Sequence, residues 1–159
     1  MNQKRMSLML KSVTIIIGLM GTVFFLILLP ALANDLRNGY KEATYLYWPG
    51  LLYGWLIGVI VYAALYNFWK ICCEIGKDNS FSKENIKYLN NIGLLAIIAA
   101  TVWFTGLVVL ISINVISIAF FVLMVVGIIA SVAIAIITIV LAHLVDKAYE
   151  LKSENELTI

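Results

Sequence analysis

Residues 88–145 read YLNNIGLLAIIAATVWFTGLVVLISINVISIAFFVLMVVGIIASVAIAIITIVLAHLV and contain no Asp, Glu, Lys or Arg. As one continuous helix these 58 residues would extend over about 87 Å, whereas the hydrocarbon core of a bilayer is about 30 Å thick. The run therefore predicts two membrane-spanning helices joined by a turn. The most polar point of the run, Ser112-Ile113-Asn114, is the predicted turn, because Asn tolerates left-handed backbone.

Two further uncharged runs precede this one, and each is long enough to span a bilayer. Residues 12–33 carry no charge, and Pro49, which suits the first turn of a helix, introduces the uncharged residues 50–69. We therefore predict one membrane domain, residues 1–159. Its spans lie at about 12–33, 50–69, 92–111 and 117–143, with an outer loop 34–49, a cytoplasmic loop 70–91 and a cytoplasmic tail 144–159.

The composition supports a membrane protein and excludes several other classes. Apolar residues make up 63% of the chain and charged residues 13%, whereas soluble domains have about 45–50% and about 25%. So few charged side chains cannot cover the surface of a small soluble protein. We predict an all-α fold of four transmembrane helices packed as a bundle in a lipid bilayer, and exclude a soluble enzyme or a secreted disulfide scaffold.

The first apolar run has a competing interpretation as a cleaved signal peptide. Basic residues precede it, and it ends in Pro30-Ala31-Leu32-Ala33-Asn34, which contains an Ala-x-Ala pattern. The apolar run is longer than the 7–15 residues typical of a signal peptide, which favours a retained span. Cleavage would leave three spans in the same orientation.

The distribution of basic residues predicts the orientation of the chain in the membrane. Nine of the 11 Lys and Arg residues lie in the N-terminal segment, the middle loop and the tail. Only Arg37 and Lys41 lie on the other side. Because loops rich in Lys and Arg stay in the cytoplasm, both termini and the middle loop are predicted to be cytoplasmic.

Small residues spaced four apart suggest where the helices pack, because small side chains let helix backbones approach closely in lipid. One row lies in the second span (Gly50, Gly54, Gly58, continued by Tyr62 and Tyr66) and another in the fourth (Gly127, Ser131, Ala135). We expect the second span to pack on the fourth, with a homodimer through the glycine face as the alternative. Ile60 is expected to face lipid.

The predicted spans lack the groups that would support catalysis or coupled transport. No Asp, Glu, Lys or Arg lies inside them, and such groups usually mark proton and ion pathways. One His, His143, and two adjacent cysteines, Cys72 and Cys73, do not form a metal-binding pattern. We expect no enzyme activity, no cofactor, no metal and, at a net charge of +2, no direct nucleic-acid binding.

The middle loop and the tail carry features that suit partner binding. Ser82 is a predicted helix N-cap, followed by Glu84 in the first turn. In the tail, Asp146, Glu150 and Glu154 form an acidic stripe at four-residue spacing, and the chain ends in the apolar Leu157-Thr158-Ile159. The stripe is interpreted either as a solvated face or as a docking strip for a basic partner.

The same two segments carry a family resemblance. Phe81-Ser82-x-Glu84-Asn85, Leu89-x-x-Ile92-Gly93 and the ending Glu154-Asn155-Glu156-Leu157-Thr158-Ile159 resemble the small four-span bacterial membrane proteins of domain-of-unknown-function family 2975. Members of that family are often encoded beside a small helix-turn-helix regulator. The resemblance therefore implies a membrane partner for a transcription regulator.

These observations lead to one leading function and two alternatives. The leading hypothesis is a regulatory binding protein that holds a small helix-turn-helix regulator at the membrane. A self-protection protein against a membrane-active peptide is the second hypothesis, and a small-solute channel or transporter is the third. The predicted partner-binding residues are Phe81, Glu84, Asn85, Glu150, Glu154, Asn155 and Leu157.

Overall fold

A computed structural model describes residues 3–39, 41–114 and 118–157. The chain begins with α1 (Gln3–Val23), which continues through a π-helical segment (Phe24–Leu28) into α2 (Leu29–Gly39). A 3-10 helix (Lys41–Leu46) leads into α3 (Tyr47–Gly76). The two remaining helices are α4 (Lys83–Ser112) and α5 (Ile118–Leu157).

The predicted all-α fold class is confirmed. Four helical stretches, Gln3–Asn34, Thr44–Gly76, Lys83–Ser112 and Phe120–Glu154, are long and apolar enough to cross a membrane. Each predicted span is shorter than the helix that contains it, and residue 117 lies outside the described residues. The loop predicted at 70–91 is largely helical, so that only residues 77–82 connect α3 to α4.

The turn between the third and fourth spans begins where the sequence predicts it. Helix α4 ends at Ser112, and Asn114 adopts a positive φ of 56°. The side chain of Ser82 accepts a hydrogen bond from the Asn85 amide at 3.2 Å, which confirms the predicted N-cap of α4.

The helices form an open row in the order α1, α3, α4, α5. Each helix contacts its neighbours along the chain, and within the described residues α1 touches neither α4 nor α5, and α3 does not touch α5. The expected packing of the second span on the fourth is therefore wrong. Because the connections are short, successive helices run antiparallel and pair in chain order.

The glycines of α3 pack against the first membrane helix. A Cβ atom on Gly54 would lie 2.5 Å from Leu29, and one on Gly58 would lie 3.2 Å from the Phe25 ring. Both glycines are therefore covered by side chains of the same chain. A homodimer through this face, the alternative to packing on the fourth span, would have to displace the first helix.

The two ends of the four-residue series of glycines and tyrosines on α3 lie outside this interface. Gly50 has nothing within 4 Å of its Cβ position, and Tyr66 is exposed. Residues four apart are offset by about 40° around a helix of 3.6 residues per turn, so a four-residue row drifts away from a straight contact. Ile60 is only 9% exposed, so the expectation that it faces lipid is also wrong.

Glycines admit aromatic rings at the other two helix interfaces. A Cβ atom on Gly127 of α5 would lie 2.7 Å from two atoms of the Trp103 ring of α4. The Tyr53 ring of α3 occupies the space beside Gly106 of α4, and its hydroxyl donates to the Val102 carbonyl at 2.7 Å. In the same row as Gly127, Ser131 and Ala135 are buried.

The π-helical segment is accompanied by a hydrogen bond from a neighbouring helix. At its end the Leu29 amide donates to the Phe24 carbonyl, five residues earlier. In the same register the Phe25 carbonyl would be paired with the nitrogen of Pro30, which carries no hydrogen. The Trp55 indole donates to this carbonyl at 3.1 Å, so a side chain of α3 supplies the missing donor.

Candidate docking surface at the basic end

Three segments meet at one end of the row, which we call the basic end: the start of α1, the loop 77–82 and the end of α5. The Ser80 hydroxyl donates to the Gln3 side-chain oxygen at 3.0 Å, and the Lys83 ammonium lies 5.5 Å from the centre of the Tyr149 ring. Nine of the 11 basic residues belong to the three charged segments that meet here. The start of α1, the loop 77–82 and the end of α5 are therefore on the same side of the apolar region.

The loop 77–82 is held by the side chain of Asn85. This residue is only 2% exposed, and its Nδ2 donates to the carbonyls of Ser80 at 2.9 Å and Asn79 at 3.3 Å. Buried carbonyls without donors are costly, so this amide fixes the loop against the first turn of α4. Asp78 adopts a positive φ of 65°, which reverses the chain after α3.

Glu74 holds the other side of the loop. Its two carboxylate oxygens accept hydrogen bonds from the Lys77 ammonium at 2.7 Å and from the Asn79 amide at 3.0 Å. The hydrogen bond to Glu74 raises the pKa of Lys77 above its ordinary value. The loop is therefore tied to the helix before it as well as to the helix after it.

The start of α1 is anchored beside this loop. The buried Ser7 hydroxyl donates to the Cys72 carbonyl at 2.6 Å. Gly76 lies directly opposite, since a Cβ atom there would come within 2.7 Å of the Ser7 hydroxyl oxygen. This close approach fixes α1 against the last turn of α3.

Phe81, the next-to-last residue of the loop, has an aromatic side chain that is 51% exposed. Glu84, Glu150 and Glu154 are also exposed. Asn85 is a correction to the prediction: it lies beneath the loop and stabilises it, so it is not available to a partner. The side chains of Asn155 and Leu157 lie outside the part of the structure that is described.

The tail lies beside the loop because of the register of α4 and α5. Gly93 lies against Ile139, and ten residues earlier Lys83 lies against Tyr149, ten residues further along α5. The eight residues from Glu150 to Leu157 therefore continue past the start of α4, over about 12 Å of helix. Glu150 and Glu154 lie on this projecting part, which we call the α5 extension.

Sequence reasoning missed the contact of Lys83 with Tyr149. An antiparallel hairpin pairs residues that lie equally far from its turn. The position of the predicted turn at 112–114 therefore indicates which residues of the two helices face each other. The observed pairing is centred on residue 116, three residues after the centre of the predicted turn, and this shifts the facing residue by about six positions, between one and two helical turns. The sequence could therefore indicate the neighbourhood of this contact but not its partner.

Comparisons with known proteins agree that the chain is a membrane protein. A family described as "Protein of unknown function (DUF2975)" matches residues 31–159. The "Uncharacterized membrane protein YoaS" of Bacillus subtilis (strain 168) is 30% identical over 158 residues, which cover 98% of this chain and 99% of the relative. No solved structure matches the chain significantly. The chain is an integral membrane protein and belongs to the DUF2975 family.

Proposed function

We propose that this chain is a binding protein, not an enzyme, and that it holds a small helix-turn-helix transcription regulator at the bacterial cytoplasmic membrane. The observation that carries this proposal is Phe81, which is exposed on a loop braced by Asn85 and Glu74. Exposed aromatic side chains on a rigid support are typical anchors of protein interfaces.

The α5 extension adds charge to the proposed surface. Glu150 and Glu154 are exposed on a helix that projects past the start of α4, and Glu84 is exposed in the first turn of α4. DNA-binding regulators carry basic surfaces, so carboxylates around an aromatic anchor suit such a partner. The family resemblance in the loop and tail motifs supports the same class of partner.

The proposal places the basic end in the cytoplasm. All three segments that meet there are rich in Lys and Arg, and such segments remain on the cytoplasmic side of a membrane. A soluble regulator would then approach the loop and the α5 extension from the cytoplasm.

Co-purification from native membranes under gentle, low-salt extraction tests this function. The wild-type protein is expected to retain a soluble helix-turn-helix regulator. Phe81→Ser should weaken retention by removing the anchor. The double change Glu150→Lys and Glu154→Lys should weaken it roughly five- to thirtyfold, about 1–2 kcal/mol, because attraction becomes repulsion.

Trp48→Ser is the matched control. Trp48 is also an exposed aromatic residue, but it lies in the first turn of α3, at the other end of the row. This variant should retain the regulator at the wild-type level when both proteins are equally abundant in the membrane. The proposal fails if the wild type retains no such regulator, or if all variants retain it equally.

A further inference from the structure

Two lysines mark the same membrane level on adjacent helices. Lys11 directly precedes the uncharged residues 12–34, and Lys70 directly follows the uncharged residues 43–69. Because α1 and α3 run antiparallel, both positions lie at the basic end. The Lys11 ammonium lies 5.5 Å from the centre of the Trp69 ring, next to Lys70 in the chain.

Both ammonium groups rest on aromatic rings and not on carboxylates. The Lys70 ammonium lies 5.2 Å from the centre of the Tyr66 ring. Among the described residues, no carboxylate lies within 4 Å of either ammonium. The nearby Glu74 directs its two oxygens to Lys77 and Asn79. Two cations at the same level of adjacent helices, at the edge of a low-dielectric membrane, are stabilised by an anion placed between them.

An apolar strip runs from these lysines toward the middle of the membrane. On α3, Tyr66 and Tyr62 follow Lys70 at four-residue intervals, and Tyr66 is 61% exposed. On α1, Gly18 follows Lys11 after two turns, and the space at its Cβ position is open. The Tyr62 hydroxyl donates a hydrogen bond to the Gly18 carbonyl at 2.7 Å. Because these two polar groups are paired with each other, the strip presents mainly apolar atoms to the lipid.

We propose that Lys11, Lys70, Trp69 and Tyr66 form a binding site for the phosphate of an anionic phospholipid. One acyl chain of this lipid lies along Tyr66, Tyr62 and the open surface at Gly18. The ligand is a lipid of the surrounding bilayer and not free phosphate, because the cations stand at the membrane edge of an apolar strip. This site is separate from the loop surface proposed above and is independent of which side the basic end faces.

Native mass spectrometry of the full-length protein in detergent tests the site. Phosphatidylglycerol and phosphatidylcholine with identical acyl chains are titrated separately, and inorganic phosphate is added in a third arm. The wild type is expected to prefer phosphatidylglycerol. Lys11→Gln with Lys70→Gln should reduce that preference roughly 30-fold, about 2 kcal/mol at 1.4 kcal/mol per tenfold, because each basic side chain near anionic lipid contributes about half of this.

Two variants control for charge and for folding. Lys83→Gln removes one charge and one cation–aromatic contact elsewhere at the basic end, and should leave the preference unchanged. Lys11→Arg with Lys70→Arg keeps both charges over the rings and should retain it.

Each of the following results would overturn the assignment. These are equal binding of the two lipids by the wild type, an unchanged preference in the double glutamine variant, an equal loss in Lys83→Gln, and competition by inorganic phosphate at lipid-like concentrations. Loss of the preference in the double arginine variant would also contradict a site that depends on charge.

Discussion

At the scale of single residues, glycines decide how closely the helices approach, and their surroundings differ although their spacing in the sequence is similar. Gly127 faces the rigid indole of Trp103, Gly54 faces the flexible end of Leu29, and Gly50 faces open space. The sequence shows that glycines recur every four residues. It does not show what lies opposite each of them, because that depends on the register of another helix.

This difference predicts opposite effects of the same substitution. Gly127→Ala places a methyl group against a ring that cannot yield, and overpacking of this kind typically costs about 1–3 kcal/mol. Gly50→Ala meets no neighbour and gains up to about 1 kcal/mol of helix propensity. We expect a lower Tm in detergent for Gly127→Ala and an unchanged or higher Tm for Gly50→Ala. Equal Tm values for the two variants would contradict the packing of Trp103 on Gly127.

Asn85 illustrates a second limit of sequence reasoning at this scale. The motif around Phe81 correctly predicted the N-cap at Ser82, because capping depends on residues three apart in the chain. It grouped Asn85 with partner-binding residues, whereas this side chain is buried beneath the loop. A polar residue in the first turn of a helix has the same sequence pattern whether it faces solvent or the carbonyls of the preceding loop.

At the scale of elements, the first membrane helix depends on α3 to complete its own hydrogen bonds. Proline at position 30 removes a donor, and the Trp55 indole replaces it at the Phe25 carbonyl. The apolar run predicted a helix here but not its π-helical segment, because that segment reflects an interaction between two helices. The pairing of the first helix with α3 was missed for the same reason.

A double-mutant cycle tests this coupling between Pro30 and Trp55. Trp55→Phe alone leaves the Phe25 carbonyl without its donor and should cost about 0.5–1.5 kcal/mol, seen as a lower Tm in detergent. In a Pro30→Ala background the backbone supplies an N–H, so the same change should cost less. A coupling energy near zero, with the two effects simply additive, would show that the indole does not compensate for the proline.

At the scale of the whole molecule, the structure places both ends of the described chain and the loop 77–82 on one side of the apolar region. Nine of 11 basic residues mark this side, so the orientation can be tested with single cysteines. In a background lacking Cys72 and Cys73, Lys41→Cys should react with an impermeant maleimide in intact cells. Lys77→Cys and Lys152→Cys should react only after lysis.

The control for labelling is the cysteine-free protein, which should remain unlabelled and accumulate at the wild-type level. Labelling of Lys152→Cys in intact cells would contradict the predicted orientation and the proposed cytoplasmic docking surface. The number of spans and their apolar character could be predicted from the sequence because membrane thickness constrains them directly. The linear order of the helices could not, because positions that face lipid and positions that face another helix are both apolar, so the sequence pattern does not distinguish a bundle from a row.

The open row has a consequence for how the protein is made. Each helix packs on helices that are its neighbours along the chain, so α3 finds its first partner already in the membrane when it leaves the translocation machinery, and α4 and α5 do the same in turn. Within the described residues, no membrane-spanning helix depends on contacts with a helix other than its neighbours along the chain. Biogenesis can therefore proceed in the order of synthesis, with every inserted segment stabilised by the one before it.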